Sequence, residues 1–65
     1  MQQVTVIDQN TREHNFRLTP KQLNAALKAY KAREGAYFSF EYTDSDGKLK
    51  TFVILWAMLV NFSYA

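Results

Sequence analysis

Cysteine is absent from this chain, and histidine and proline occur once each. Without cysteine no disulfide or thiolate metal site can staple the fold. His14 alone excludes a two-histidine metal site. The two glycines, Gly35 and Gly47, stand too far apart for a glycine-rich phosphate loop. No Gly-x-Ser-x-Gly elbow surrounds any serine. The carboxylates Asp8, Glu13, Glu34, Glu41, Asp44 and Asp46 scatter over turns and element ends. A glycosidase-like pair needs two of them opposed across a cleft, which so short a chain scarcely forms. The expectation is a protein that is not an enzyme and has no cofactor and no bound metal.

Long hydrophobic runs are also missing, with one near exception. Phe52–Val60 is an unbroken apolar run of nine residues, and the stretch from Phe52 to Ala65 is interrupted by Asn61 and Ser63. A bilayer-spanning helix needs about 20 apolar residues, so this segment is read as core and no membrane partner is expected. The start, Met1-Gln2-Gln3-Val4-Thr5-Val6, lacks the basic and apolar regions of a secretory signal. Met1 reads as the start of a complete chain. Together with the absence of cysteine this gives a cytoplasmic expectation.

What is present is hydrophobic matter. Of the 65 residues 48% are hydrophobic and 15% aromatic, which is rich for one small domain, 1–65, and argues against disorder. A domain of this size buries only about 60% of its unfolded surface, so stability must come from core packing, oligomerisation or both. The net charge of +2 is mildly basic and lacks the dense stripe of a dedicated nucleic-acid module.

The clearest element is a helix. Thr19 is a good N-cap, Pro20 occupies the first helical position, and Gln22 completes a capping box. Leu18 and Leu23 stand where a hydrophobic staple places them. Leu23, Ala26, Leu27 and Tyr30 form one apolar stripe, and Gly35 supplies a left-handed stop, predicting a helix over Pro20–Glu34. Val4–Ile7 and His14–Leu18 read as a hairpin across the turn Asp8–Arg12. Ala36–Tyr42 alternates, with Phe38, Phe40 and Tyr42 on one face and Tyr37, Ser39 and Glu41 on the other. Asp44-Ser45-Asp46-Gly47 is a strong hairpin turn, and Lys48–Leu55 returns as the partner strand, laying Phe52 and Ile54 near that aromatic face. The same turn carries acidic residues at alternate positions, but it lacks the rest of a calcium loop. A bend near Ala57 then leads to a short last strand from Leu59.

These elements predict an α+β, two-layer domain: an antiparallel sheet of four to five strands, in chain order β-β-α-β-β with a short final β, and one amphipathic helix on one face. A helix of about 15 residues is roughly 22 Å long and covers one sheet face, not two. The strand from Phe52 is therefore expected at the sheet centre, with Val53, Leu55 or Trp56 turned outward and a partner hiding them. Phe52, Ile54, Trp56, Met58, Val60, Phe62 and Tyr64 are the candidate interface, most simply a homodimer contact.

Charged recognition points to the helix, where Lys21, Asn24, Lys28 and Lys31 step by three or four along one stripe and Arg33 follows. The plain alternative is a solvated face whose lysines complement the helix dipole. Tyr37 with Arg17, Lys48 and Lys50 is a weaker base-stacking set, opposed by Glu41 on the same face. His14 has Glu13 beside it, but adjacent strand residues point to opposite faces, so that pair makes no acid–base site. The functional expectation is a self-associating, non-enzymatic inhibitor or modulator that binds another protein, of the kind common among phage and mobile-element proteins. The alternative is a nucleic-acid-binding regulator using the basic helix face.

Overall fold

A computed structural model describes residues 1–65. The elements are β1 (Gln2–Asp8), β2 (Glu13–Leu18), α1 (Pro20–Ala32), β3 (Tyr37–Thr43), β4 (Leu49–Leu55), one 3₁₀ turn (Trp56–Met58) and β5 (Leu59–Tyr64). One helix lies against a five-stranded antiparallel sheet of order β4-β3-β2-β1-β5, an α+β two-layer fold.

Local chemistry accounts for most of these boundaries. The Thr19 hydroxyl accepts from the Gln22 amide at 3.1 Å while the Gln22 side chain accepts from the Thr19 amide at 2.9 Å, so the capping box is closed in both directions. Gln22 also donates to the Thr43 hydroxyl at 3.3 Å, tying the helix start to the end of β3. Leu23, Leu27 and Tyr30 pack on the core, and Ala26 is fully buried. The helix stops earlier than the glycine signal predicts. Arg33 takes the cap position in the left-handed region, with φ 48°, and its amide donates to the Ala29 carbonyl at 3.1 Å, while Gly35 two residues on is left-handed as expected, with φ 69°. The Arg33 guanidinium sits 4.9 Å from the Trp56 ring centroid, a favourable contact at this left-handed position.

β4 is an edge strand, not the sheet centre; that place belongs to β2. The reason is the connection after it. β4 and β5 occupy opposite edges, about 19 Å apart in a flat sheet of five strands. The chain from Leu55 to Leu59 can reach only about 14 Å. The sheet must therefore curl. It does so between β2 and β3, which share the single register pair Arg17↔Thr43. The hairpin β3–β4 swings over the inner face of β1 and β2, bringing Phe16 to ring-centroid distances of 5.2 Å from Phe40, 4.7 Å from Tyr42 and 4.8 Å from Phe52.

One enclosed core results, built of Val4, Val6, Leu18, Ala26, Phe38, Phe40, Trp56 and Phe62. Within it Phe38 stacks on Trp56 at 4.9 Å and Tyr30 on Phe62 at 5.1 Å. The expected cross-strand contacts are present as Phe40↔Phe52 and Phe38↔Ile54. No helix is long and apolar enough to cross a membrane.

Candidate interaction surface

Outside this core the two halves of the sheet differ. The outer face of β2, β1 and β5 is mostly polar, carrying Gln3, Thr5, Glu13, Asn15, Arg17, Asn61 and Ser63, with Thr5 donating to Asn15 at 2.8 Å. The outer face of β3–β4 carries large apolar side chains among polar ones. There Tyr37 pairs with Leu55, Ser39 with Val53, Glu41 with Thr51 and Thr43 with Leu49. Tyr37 is 60% exposed, Leu49 62%, Val53 55% and Leu55 42%.

The seven candidate interface residues divide on this frame. Trp56 and Phe62 are buried in the chain's own core, and the Trp56 indole N–H donates to the Glu34 carbonyl at 3.3 Å. Trp56 continues the inner parity of Phe52 and Ile54, its amide donating to the Ala36 carbonyl at 3.0 Å, so it is not among the outward residues. Phe52 and Ile54 are half-buried against the core, Met58 is half-buried at the groove along β4, and Val60 and Tyr64 are exposed on β5. Of the three residues expected to face outward, Val53 and Leu55 do. Tyr37 and Leu49 join them, a grouping created by hairpin register that single-strand alternation did not isolate.

A groove of about 360 Å³ runs along β4, lined by Asp8, His14, Tyr37, Phe52, Val53, Ile54, Leu55 and Met58. His14 Nε2 lies 3.1 Å from Asp8 Oδ2. An ionised carboxylate only accepts, so Nε2 carries the proton. The partner of His14 is thus Asp8, across the hairpin, where sequence inspection looked only at Glu13. Asp8 Oδ1 also accepts from the amides of Asn10 (2.9 Å) and Arg12 (3.1 Å), fastening a turn in which Thr11 has φ 60°. The pair organises the turn, and the groove adds no serine, threonine or second carboxylate to it. Asp44 does the same work in the other hairpin. Its Oδ1 accepts from Asp46 (2.9 Å) and Lys48 (2.8 Å) and its Oδ2 pairs with Lys50 Nζ at 3.2 Å, so the segment is a turn and not a calcium loop. No group of three or more potential metal ligands is assembled anywhere.

These contacts set a pH dependence. The hydrogen bond from His14 above all, helped by the Arg12 and Asn10 amides and opposed by burial, holds the Asp8 carboxyl below its ordinary 3.8. The Lys48 amide does the same for Asp44, opposed by burial and helped by Lys50 and the Asp46 amide. A carboxyl depressed by folding stabilises above its unfolded value and loses that contribution as pH falls through the folded one. Thermal melts from about pH 5 to about pH 2 should show a falling melting temperature, with a shallower fall in an Asp8→Asn, Asp44→Asn variant. Equal slopes would mean that other groups set the acid limb.

On α1, Lys21, Asn24, Lys28 and Lys31 are all exposed, as is Arg33. The ion pairs of the molecule are His14–Asp8 and Lys50–Asp44, so none of the helix lysines is paired. The base-stacking set is not assembled. Tyr37 and Arg17 lie toward opposite ends of β3, about 20 Å apart, and Lys50 is engaged by Asp44.

Fold and surface together define a small α+β domain with a curled antiparallel sheet, a single covering helix and one apolar hairpin left open to solvent. No family model matches the chain, and no curated protein or solved structure matches it either.

Proposed function

We propose that this chain is a non-enzymatic protein-interaction module that self-associates through hairpin β3–β4 and acts by binding another protein. The observation that carries the reading is the cluster Tyr37, Leu49, Val53 and Leu55, four large apolar side chains exposed on one hairpin. Tyr37, Val53 and Leu55 adjoin on that face, with Leu49 beyond Thr51, and soluble proteins keep apolar patches for contacts. Polar residues predominate on the outer face of β2, β1 and β5, where Ile7 is an exception, while Val60 and Tyr64 are separate exposed apolar residues on β5.

Sedimentation across micromolar concentrations should give a species near twice 7.6 kDa. Val53→Lys should return it to the monomer with the melting temperature of the fold little changed, because Val53 is largely exposed. A wild-type monomer throughout, or a Val53→Lys dimer, would count against the reading.

The unpaired lysines of α1 favour a second reading, a nucleic-acid-binding regulator. Phosphate contacts make log affinity fall linearly with log salt. On this reading Lys28→Glu with Lys31→Glu should abolish binding to duplex or single-stranded DNA and remove its salt dependence. Absence of any salt-sensitive binding by the wild type eliminates it.

A further inference from the structure

The hydrogen-bond parity of hairpin β3–β4 assigns the free edge to particular residues. The Asp44 amide donates to the Lys48 carbonyl at 2.9 Å and the Trp56 amide to the Ala36 carbonyl at 3.0 Å. In an antiparallel ladder bonded and non-bonded pairs alternate, so Lys50, Phe52 and Ile54 direct their main-chain groups to β3. Leu49, Thr51, Val53 and Leu55 direct theirs away from it, to the edge where the sheet ends. Three of these four are the exposed apolar residues of β4.

The two edges of the sheet are not equivalent. β5 is bulged: Ile7 opposes Asn61 and Asp8 opposes Leu59, leaving Val60 as an extra residue. A bulge twists an edge away from pairing. β4 has no bulge, and Thr51-Phe52-Val53-Ile54-Leu55 contains no charge, proline or glycine. Lys50, the one cation inside β4, is held by Asp44. An open, regular, uncharged β-branched edge is an aggregation template unless something specific occupies it.

We infer that the occupant is a second copy of this chain, its β4 added antiparallel to the first to make one continuous sheet. This rests on the self-association reading and specifies its geometry. Only one register engages all four edge residues on both copies. It places Phe52 on the two-fold axis, Leu49 opposite the partner's Leu55, and Thr51 opposite the partner's Val53. Lys50 then faces the partner's Ile54, and the two Lys50 residues stand about 13 Å apart along the strands, beyond the screening length of about 8 Å at physiological salt. Shifting by one residue sets edge residues opposite ones whose main-chain groups face β3, and shifting by two leaves an edge residue without its opposite. The contact is isologous and closes at two copies, whereas β4 on β5 would run on as an open filament.

The absence of native cysteine makes the register directly testable. In the proposed pairing Leu49 and the partner's Leu55 form a hydrogen-bonded pair, with Cα atoms about 5.5 Å apart, within disulfide range. Within one chain these positions are about 20 Å apart and cannot bridge. Leu49→Cys with Leu55→Cys should therefore oxidise mostly to a covalent dimer on a denaturing gel, and each single variant should not. Thr51→Pro removes an edge donor without touching the ladder to β3. It should sediment as a monomer while the amides of Lys50, Phe52 and Ile54 keep their slow hydrogen exchange. A double variant that is dimeric yet does not cross-link overturns the inference, as does a folded Thr51→Pro that remains a dimer. Both leave self-association itself standing, whereas a wild-type monomer removes the parent reading.

Discussion

Phe38→Ala should leave much of the chain unfolded at room temperature. Phe38 is 1% exposed, and its ring centroid lies 4.9 Å from Trp56, 5.4 Å from Phe62, 5.5 Å from Phe40 and 5.7 Å from Tyr30. It joins the helix, both halves of the sheet and the 3₁₀ turn. Truncating a buried phenylalanine costs about 3–5 kcal/mol, since both transfer energy and packing contacts are lost. The whole stability expected of a domain this size is only about 3–10 kcal/mol. Urea unfolding followed by circular dichroism should show the midpoint collapse toward zero denaturant. A loss under about 1 kcal/mol would place the centre of the core elsewhere.

Trp56→Ala is the second large effect, and it separates core from interface. Trp56 belongs by sequence to the apolar run Phe52–Val60, for which a partner is the sequence expectation. Its indole nevertheless stacks on Phe38, lies 6.0 Å from Tyr30, donates to the Glu34 carbonyl and underlies Arg33. Its removal should cost about 3–5 kcal/mol. The loss has two parts: a void beside Phe38, and a left-handed Arg33 without its aromatic support. The melting temperature should fall by more than 10 °C at roughly 4–8 °C per kcal/mol, while molecules that stay folded still associate. A fully stable variant that no longer dimerises would instead make Trp56 an interface residue, against its burial.

The difference between Trp56 and Val53 shows where sequence reading reached its limit. Both lie in one apolar run, and alternation assigns faces only while the strand continues. Trp56 shares the parity of Phe52 and Ile54. The ladder bond from its amide to the Ala36 carbonyl carries that phase to the start of the 3₁₀ turn, so a side chain counted as outward faces in. The helix end fails for a related reason. Gly35 is left-handed as its type suggests, with φ 69°, yet the cap falls two residues earlier on Arg33, whose guanidinium lies over the ring of Trp56, distant in sequence. His14 found its partner in Asp8 because hairpin pairing brings residues together that neighbour inspection never compares. The basic stripe on α1 was readable because helical spacing alone puts those residues on one side.

The sequence by itself determined the element order, the capped helix start, both hairpin turns, the two faces of β3 and the class of fold. These are short-range properties, fixed by backbone preference, side-chain capping and a period of two or 3.6 residues. Only the tertiary structure decided that β4 is an edge, that the sheet curls between β2 and β3, and that Trp56 and Phe62 are core. Those outcomes follow from chain connectivity. A link from Leu55 to Leu59 too short to cross a flat sheet forces closure, and closure lets one helix suffice for the inner face. Much of the surplus apolar surface is left on one hairpin, where Tyr37, Leu49, Val53 and Leu55 meet solvent, with Val60 and Tyr64 exposed on β5.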